Sequence, residues 1–182
     1  MVMSIGVIET NSIPKGIEAG DAMLKAAEVQ LVTAQPICAG KYIVIVSGEV
    51  AAVKSSTSAG REVAADTLVD ELVIPNVHED VAPAINACSE IGHVDAVGII
   101  ETFSLCSSIL SADAAAKAAD IKLMEVRLGR GLGGKSFVIL TGDVAAVNAS
   151  VRAAEAEQGT EGLIAKTVVI PSPHPDLIGS LM

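Results

Sequence analysis

The sequence predicts an α/β chain of the α+β kind, built as a tandem duplication of one domain of roughly 90 residues. Three observations predict it. Ile5-Gly6-Val7-Ile8-Glu9-Thr10 returns as Val97-Gly98-Ile99-Ile100-Glu101-Thr102, and Gly48-Glu49-Val50-Ala51-Ala52-Val53 returns as Gly142-Asp143-Val144-Ala145-Ala146-Val147. Between these landmarks, short β-branched runs alternate with helix-period runs, and hairpin-like returns join neighbouring strands, so each copy reads as a mostly antiparallel four-stranded sheet flanked by helices. The chain is half hydrophobic, yet it holds one Tyr, two Phe and no Trp. Its core is therefore made of Ala, Val, Ile and Leu, whose small size lets helices lie close to a sheet.

The repeated segments keep one order throughout. Asp21-Ala22-Met23-Leu24-Lys25-Ala26-Ala27 corresponds to Asp113-Ala114-Ala115-Ala116-Lys117-Ala118-Ala119, Ile74-Pro75 to Ile170-Pro171, and His78 to His174. The seam lies near Cys88–Asp95, which divides the chain into domains 1–92 and 93–182.

Each copy opens with a strand, Ser4–Thr10 or Asp95–Thr102. A helix follows. In the first copy Ser12 is placed to cap it, and Pro14 falls in its first turn, where a missing N–H costs nothing. Ile17, Met23 and Leu24 give this helix an apolar stripe. Asp21 with Lys25, and Asp113 with Lys117, are acid–base pairs one helical turn apart. A strand, a loop and a strand come next: Gln30–Pro36 and Lys41–Ser47 around the first loop, then Ser136–Thr141 after the second. A second helix, Val50–Ala65 or Val144–Glu157, begins beside an acidic residue, as the helix dipole favours. A last strand ends at Ile74-Pro75 or Ile170-Pro171, and a short tail helix is expected after His78.

The two loops differ. The first, Pro36-Ile37-Cys38-Ala39-Gly40-Lys41, carries a thiol at its tip. The second, Gly129-Arg130-Gly131-Leu132-Gly133-Gly134-Lys135, has Leu132 opposite Cys38. Read from its residue type alone, Cys38 is an ordinary thiol, the commonest role of a lone cysteine. Its place at a loop tip beside glycine sets it apart. Cys88 in the inter-copy linker and Cys106 on a helix match no zinc or ferredoxin spacing and read as surface or core thiols.

Gly129 to Ser136 also fits the phosphate-loop pattern G-x-x-x-x-G-K-[ST], and the glycines fit a dinucleotide fingerprint. Both need a helix directly after the loop. The run that follows, Ser136-Phe137-Val138-Ile139-Leu140-Thr141, has a strand pattern, so nucleotide binding is the remote alternative. Glu9 and Glu101 repeat at strand ends. Duplication explains them better than a catalytic pair, and hydrogen bonding to backbone is their expected work. The repeated His78 and His174 are expected to act as caps.

The net charge of −10 excludes a nucleic-acid partner of the usual basic kind. No apolar run approaches the ~18–20 residues that span a bilayer. The N-terminal residues lack a basic signal-peptide region, which leads to the expectation of a cytoplasmic protein with reduced thiols.

Taken together, Gly-Val-Ile-Glu-Thr at the start of a copy, Asp-x-x-x-Lys-Ala-Ala on its first helix, Gly-Lys before its third strand and Gly-(Glu/Asp)-Val-Ala-Ala-Val at its second helix resemble bacterial microcompartment shell proteins. The resemblance covers nearly the whole chain and occurs twice. It implies the tandem-domain, unpermuted type, which forms trimers shaped as pseudo-hexamers. Ile37-Cys38-Ala39-Gly40-Lys41 is most similar to the Ile-Cys-Pro-Gly-Lys loop of tandem shell proteins from propanediol-utilisation compartments, with Ala39 in place of the proline.

That resemblance implies a homotrimer in the shell, without enzymatic activity. One 4Fe–4S cluster would sit at the three-fold pore, with Cys38 of three chains as cofactor-binding metal ligands, for electron transfer across the shell. Ile37, Ala39, Gly40, Gly131, Leu132, Gly133 and Gly134 would line the pore, and Lys25 and Lys117 would lie on the tile edge. Other shell proteins and an encapsulated redox enzyme are the implied partners. A metal-free tile whose pore passes small metabolites is the alternative.

Overall fold

The computed structural model describes residues 4–181, and their contacts divide the chain into two compact units, Met1–Val77 and His78–Met182. The first unit comprises β1 (Ser4–Thr10), α1 (Ile13–Ala26), β2 (Gln30–Ile37), β3 (Lys41–Gly48), α2 (Val50–Ala64) and β4 (Leu68–Ile74), with a short 3-10 turn at Ala65–Thr67. The second begins with α3 (Val81–Ile85). It continues through β5 (Ala96–Thr102), α4 (Leu105–Ala118), β6 (Lys122–Leu128), β7 (Ser136–Gly142), α5 (Val144–Glu155), β8 (Ile164–Ile170) and α6 (Pro175–Leu181). The stretch from His78 to the seam thus follows the first repeat in sequence and belongs to the second compact unit.

Both sheets are antiparallel, with orders β2-β3-β1-β4 and β6-β7-β5-β8. The duplication extends to register. Ser4 to Thr10 face Gly48 to Tyr42, as Ala96 to Thr102 face Gly142 to Ser136. The irregularity between Glu9 and Thr10 recurs between Glu101 and Thr102, and that between Leu31 and Thr33 recurs between Leu123 and Glu125. Conserved bulges of this kind fix which side chains face which way.

Every residue of β1 is buried. Ile8 joins Ala19 and Met23 of α1, Val44 and Val46 of β3, and Ala64 of α2 in one apolar cluster. The helices reach the sheet because glycine lies where they cross it. A Cβ on Gly60 of α2 would stand 2.6 Å from Met23 Cγ of α1 and 3.2 Å from Ile8 Cγ1 of β1, and one on Gly98 of β5 would stand 3.0 Å from Val147 Cγ1 of α5. Ser56 on α2 donates to the Met23 carbonyl at 2.9 Å, which locks the two helices of the first unit together. In the second unit the sheet face away from α4 and α5 is also covered. Val94, Val97, Met124 and Ile139 cluster there, with Ile178 and Leu181 of α6 packed against them.

Several details differ from the sequence reading. Ser12 occupies the N-cap position of α1 with extended backbone, but its side chain makes no capping hydrogen bond. Its counterpart Ser104 does accept from the Ser107 N–H, at 3.4 Å. What recurs instead is the preceding threonine: Thr10 donates to the Ser12 carbonyl at 2.9 Å and Thr102 to that of Ser104 at 2.8 Å. The expected stripe on α1 is also only partly buried. Met23 is in the core, while Ile17 and Leu24 are exposed.

The close approach at Gly60 yields a direct test. Gly60→Val forces a branched side chain against Met23 and Ile8 and is expected to destabilise the fold by about 1–3 kcal/mol. Gly92→Ala, which meets nothing within 4 Å, is expected to stay within about 0.5 kcal/mol of the parent. Thermal unfolding of both variants checks this.

Candidate metal centre

The turn between β2 and β3 is three residues long, Cys38-Ala39-Gly40. Ile37 at the end of β2 is buried and anchors it, whereas Ala39 and Gly40 are exposed and Cys38 is half-buried. Gly40 has a φ of 77°, which glycine adopts without strain. The turn therefore holds one cysteine near its tip on a firm base.

That base includes a buried ion pair. Lys41, the first residue of β3, reaches Glu9 at 2.8 Å, and the Glu9 side chain is only 2% exposed. A carboxylate taken that far from water needs its counter-charge. In the second unit Lys135 approaches Glu101 at 3.3 Å, with both side chains well exposed, and lies over the Phe103 ring at 5.6 Å. The expectation that Glu9 and Glu101 bond mainly to backbone is thus corrected: each faces the lysine of its own Gly-Lys motif. The signal was present in the sequence, since both the acid and the base recur in register.

The second turn is longer and runs from 129 to 135. Gly129, Gly131, Gly133 and Gly134 all have positive φ, between 62° and 92°. Gly131 and Gly133 are exposed, while Leu132 and Gly134 are half-buried. A side chain at Gly131, Gly133 or Gly134 would meet nothing within 4 Å. The loop opens directly into β7, and the next helix starts only at Val144. It therefore lacks the helix N-terminus that a phosphate loop requires.

The other cysteines lie apart from this turn in kind. Cys106 is buried on α4, and Cys88 is exposed after α3, its thiol directed to the Asn86 carbonyl at 3.3 Å. No cysteine is in a disulfide. His78 and His174 do act as caps, each accepting through Nδ1 from the N–H two residues on, Asp80 and Asp176, at 3.2 Å. Asp21–Lys25 and Asp113–Lys117 form their ion pairs, both at 2.6 Å. Lys25 is exposed, and Lys117 is half-covered. No helix among the described residues is long and apolar enough to cross a membrane.

The donor set decides what Cys38 can hold. Among the described residues, no three His, Cys, Asp or Glu side chains gather as a metal ion requires. One chain thus presents a single thiol, and an iron–sulfur cluster takes thiolates, normally four. Cys38 fits such a group only where symmetry copies bring further thiolates to the same point.

The two Gly-Lys motifs allow a comparison of their ion pairs. Lys41→Ala strands the buried Glu9 carboxylate and is expected to cost about 2–4 kcal/mol. Lys135→Ala disturbs an exposed pair and is expected to cost less than about 1 kcal/mol. Denaturant titration of the two variants measures the difference.

Comparisons with known proteins agree with the duplicated architecture. The BMC domain family matches twice, at residues 4–77 and 96–173. The bacterial microcompartment shell protein PduT of Citrobacter freundii is 44% identical over 174 residues, which span 96% of this chain and 95% of that one. The carboxysome shell protein CsoS1 of Prochlorococcus marinus strain SARG is 37% identical over 98 residues, 52% of this chain and 95% of its own. Among solved structures, a crystal structure described as a microcompartment protein from Desulfitobacterium hafniense DCB superposes with a TM-score of 0.94 at 52% identity, covering 98% of this chain and 99% of that chain. The twofold match and the near-complete coverage place the chain in the bacterial microcompartment shell proteins, in the form that carries two BMC domains in tandem.

Proposed function

We propose that three copies of this chain form a structural tile of a microcompartment shell, with six BMC domains around a central pore, and that Cys38 of the three copies holds a 4Fe–4S cluster there for electron transfer across the shell. The observation that carries the metal assignment is the asymmetry of the two turns. The same strand–turn–strand bears Cys38 in one repeat and Leu132 in the other, so the scaffold does not need the thiol. The similarity to PduT of the microcompartment shell supports the setting.

Three thiolates from three chains convert a residue that can hold nothing alone into a ligand set. When bound, the cluster would supply one-electron chemistry and leave one iron open to an outside ligand. The chain's own contribution is to place the thiol. Ile37 fixes the strand end, Gly40 permits the tight return, and the Lys41–Glu9 pair holds the root of β3. Lys25 and Lys117 would face neighbouring tiles, an encapsulated redox enzyme would be the electron partner, and the tile would serve a cytoplasmic compartment without catalysing a reaction. A second reading, a metal-free tile whose pore passes small metabolites, is favoured by the open space around Gly131, Gly133 and Gly134.

Anaerobically purified protein separates the two. Wild type is expected to carry one cluster per trimer, read as iron, sulfide and visible absorption. Cys38→Ser removes all three protein thiolates together, and serine is a harder, poorer ligand, so the loss is expected to be complete rather than graded. Cys88→Ser and Cys106→Ser are expected to keep their iron. Retention of iron by Cys38→Ser, or failure of wild type to take up iron under anaerobic reconstitution, leaves the metabolite pore.

A further inference from the structure

A cavity of about 420 Å³ lies in the second unit, within the size range of small-molecule sites. Three segments wall it: residues 87–91 after α3, strand β6 and the end of α6. Ile91, Met124 and Leu181 give it apolar sides. Met124 is part of the cluster that covers the sheet face away from α4 and α5, and Ile91 and Leu181 pack against that cluster. The walls are therefore set by the packing of the unit.

The polar groups come mainly from β6. Arg127 Nε donates to Glu125 Oε1 at 2.6 Å, and the guanidinium lies over the Phe137 ring, 5.1 Å from its centroid. Phe137 is opposite Arg127 in the strand register. The Glu125 side chain is 16% exposed and the Arg127 side chain 49% exposed. The carboxylate is thus largely covered, while the guanidinium is oriented by one nitrogen and by the ring and keeps its terminal nitrogens for another acceptor. Two serines add hydroxyls. Ser180 donates to the Leu177 carbonyl at 2.7 Å. Ser89 Oγ is buried, and among the described residues it has no hydrogen-bond partner. A buried hydroxyl in that state is costly, and an acceptor on a ligand relieves it.

The scaffold does not require this arrangement. In the first repeat Thr33, Gln35 and Ile43 stand where the second has Glu125, Arg127 and Phe137, with Gln35 opposite Ile43 in the same register. The equivalent strands pair without the acid, the cation or the ring.

We propose that this cavity binds a small organic monocarboxylate. Arg127 grips the carboxylate through its terminal nitrogens, Ser89 donates to one of its oxygens, and Ile91, Met124 and Leu181 enclose a short apolar body. The planar guanidinium matches a carboxylate in two parallel hydrogen bonds. Glu125 sets the charge limit. Arg127 is the one cation among the described residues that line the cavity, and Glu125 already faces it. A second negative charge on the ligand would be repelled, so a monoanion is preferred to a dianion. The site lies wholly within one unit and stands independently of the trimer and of the metal assignment.

Titration of the full-length chain with sodium butyrate, followed through isotope-labelled methionine methyl resonances, tests this. The Met124 methyl is expected to shift and to saturate at millimolar butyrate, while Met23, in the core of the first unit, stays in place. Arg127→Gln loses the charged fork and is expected to weaken butyrate by about tenfold or more. Arg127→Lys keeps the charge without the fork and is expected to fall between the two. Ser180→Phe fills the cavity from α6 and is expected to remove the saturable shift. Arg127 and Ser180 are exposed, so circular dichroism is expected to be unchanged. Butanol and succinate, which lack the charge or double it, are expected to bind at least about tenfold more weakly than butyrate. A Met124 resonance that does not respond to butyrate, or that responds equally in Arg127→Gln, overturns the site. Equal binding of butanol or succinate overturns the assignment of its ligand.

Discussion

The structure depends on how closely its helices approach a central strand that is buried along its whole length. Ile5, Val7 and Ile8 of β1 are fully buried, and helix α2 can lie against α1 and β1 only because Gly60 leaves room for Met23 and Ile8. With almost no aromatic residues, the core has no large side chains to fill a wider gap. Ala, Val and Ile fill a narrow one at native density. The same economy repeats in the second unit, where Gly98 sits against Leu140 and Val147. Rigid sheets follow from this, and so do turns that project from a fixed place.

On that platform the two repeats diverge where the fold does not constrain them. The first turn is short, bears Cys38, and is rooted by a lysine paired with a buried carboxylate. The second is long, rich in glycine and rooted by an exposed pair. Duplication permits this: each copy can vary its turn while the shared scaffold of strands and helices is kept. The same logic separates Asp113, already engaged by His78, from Asp21, which still faces solvent. In the assembly proposed above, the single thiol of each chain would become one member of a ligand set.

Much of this was legible in the residues. The repeat pointed to the duplicated fold, and β-branched runs placed Ser4–Thr10 to the residue and Gln30–Pro36, Lys41–Ser47, Asp95–Thr102 and Ser136–Thr141 to within one residue at an end, whereas β6 received no bounds and β4 and β8 only their ends. The strand pattern after Lys135 argued against the phosphate loop, and β7 stands there. Other features were not legible, for physical reasons. Ile17 and Leu24 match a helix stripe, but periodicity reports only that a face is apolar and not what covers it. Ser12 has the residue type and backbone of a cap, yet the Thr10 hydroxyl secures that corner by donating to the Ser12 carbonyl. The Glu9–Lys41 pair joins residues far apart in sequence, and strand register, which a single sequence gives only weakly, brings them together. Cys38 was legible only as a position, a thiol near the tip of a turn, because among the described residues no other side chains of the same unit gather with it as a metal site would require.

The central claim is that one cysteine per chain becomes a metal site through assembly. Native mass spectrometry of anaerobically purified protein tests it in a single spectrum. The account predicts a species of three chains, each of 18.4 kDa, with the added mass of one iron–sulfur cluster, and no cluster on any monomer. A trimer at the bare mass of three chains, or a cluster retained on the isolated monomer, would contradict it.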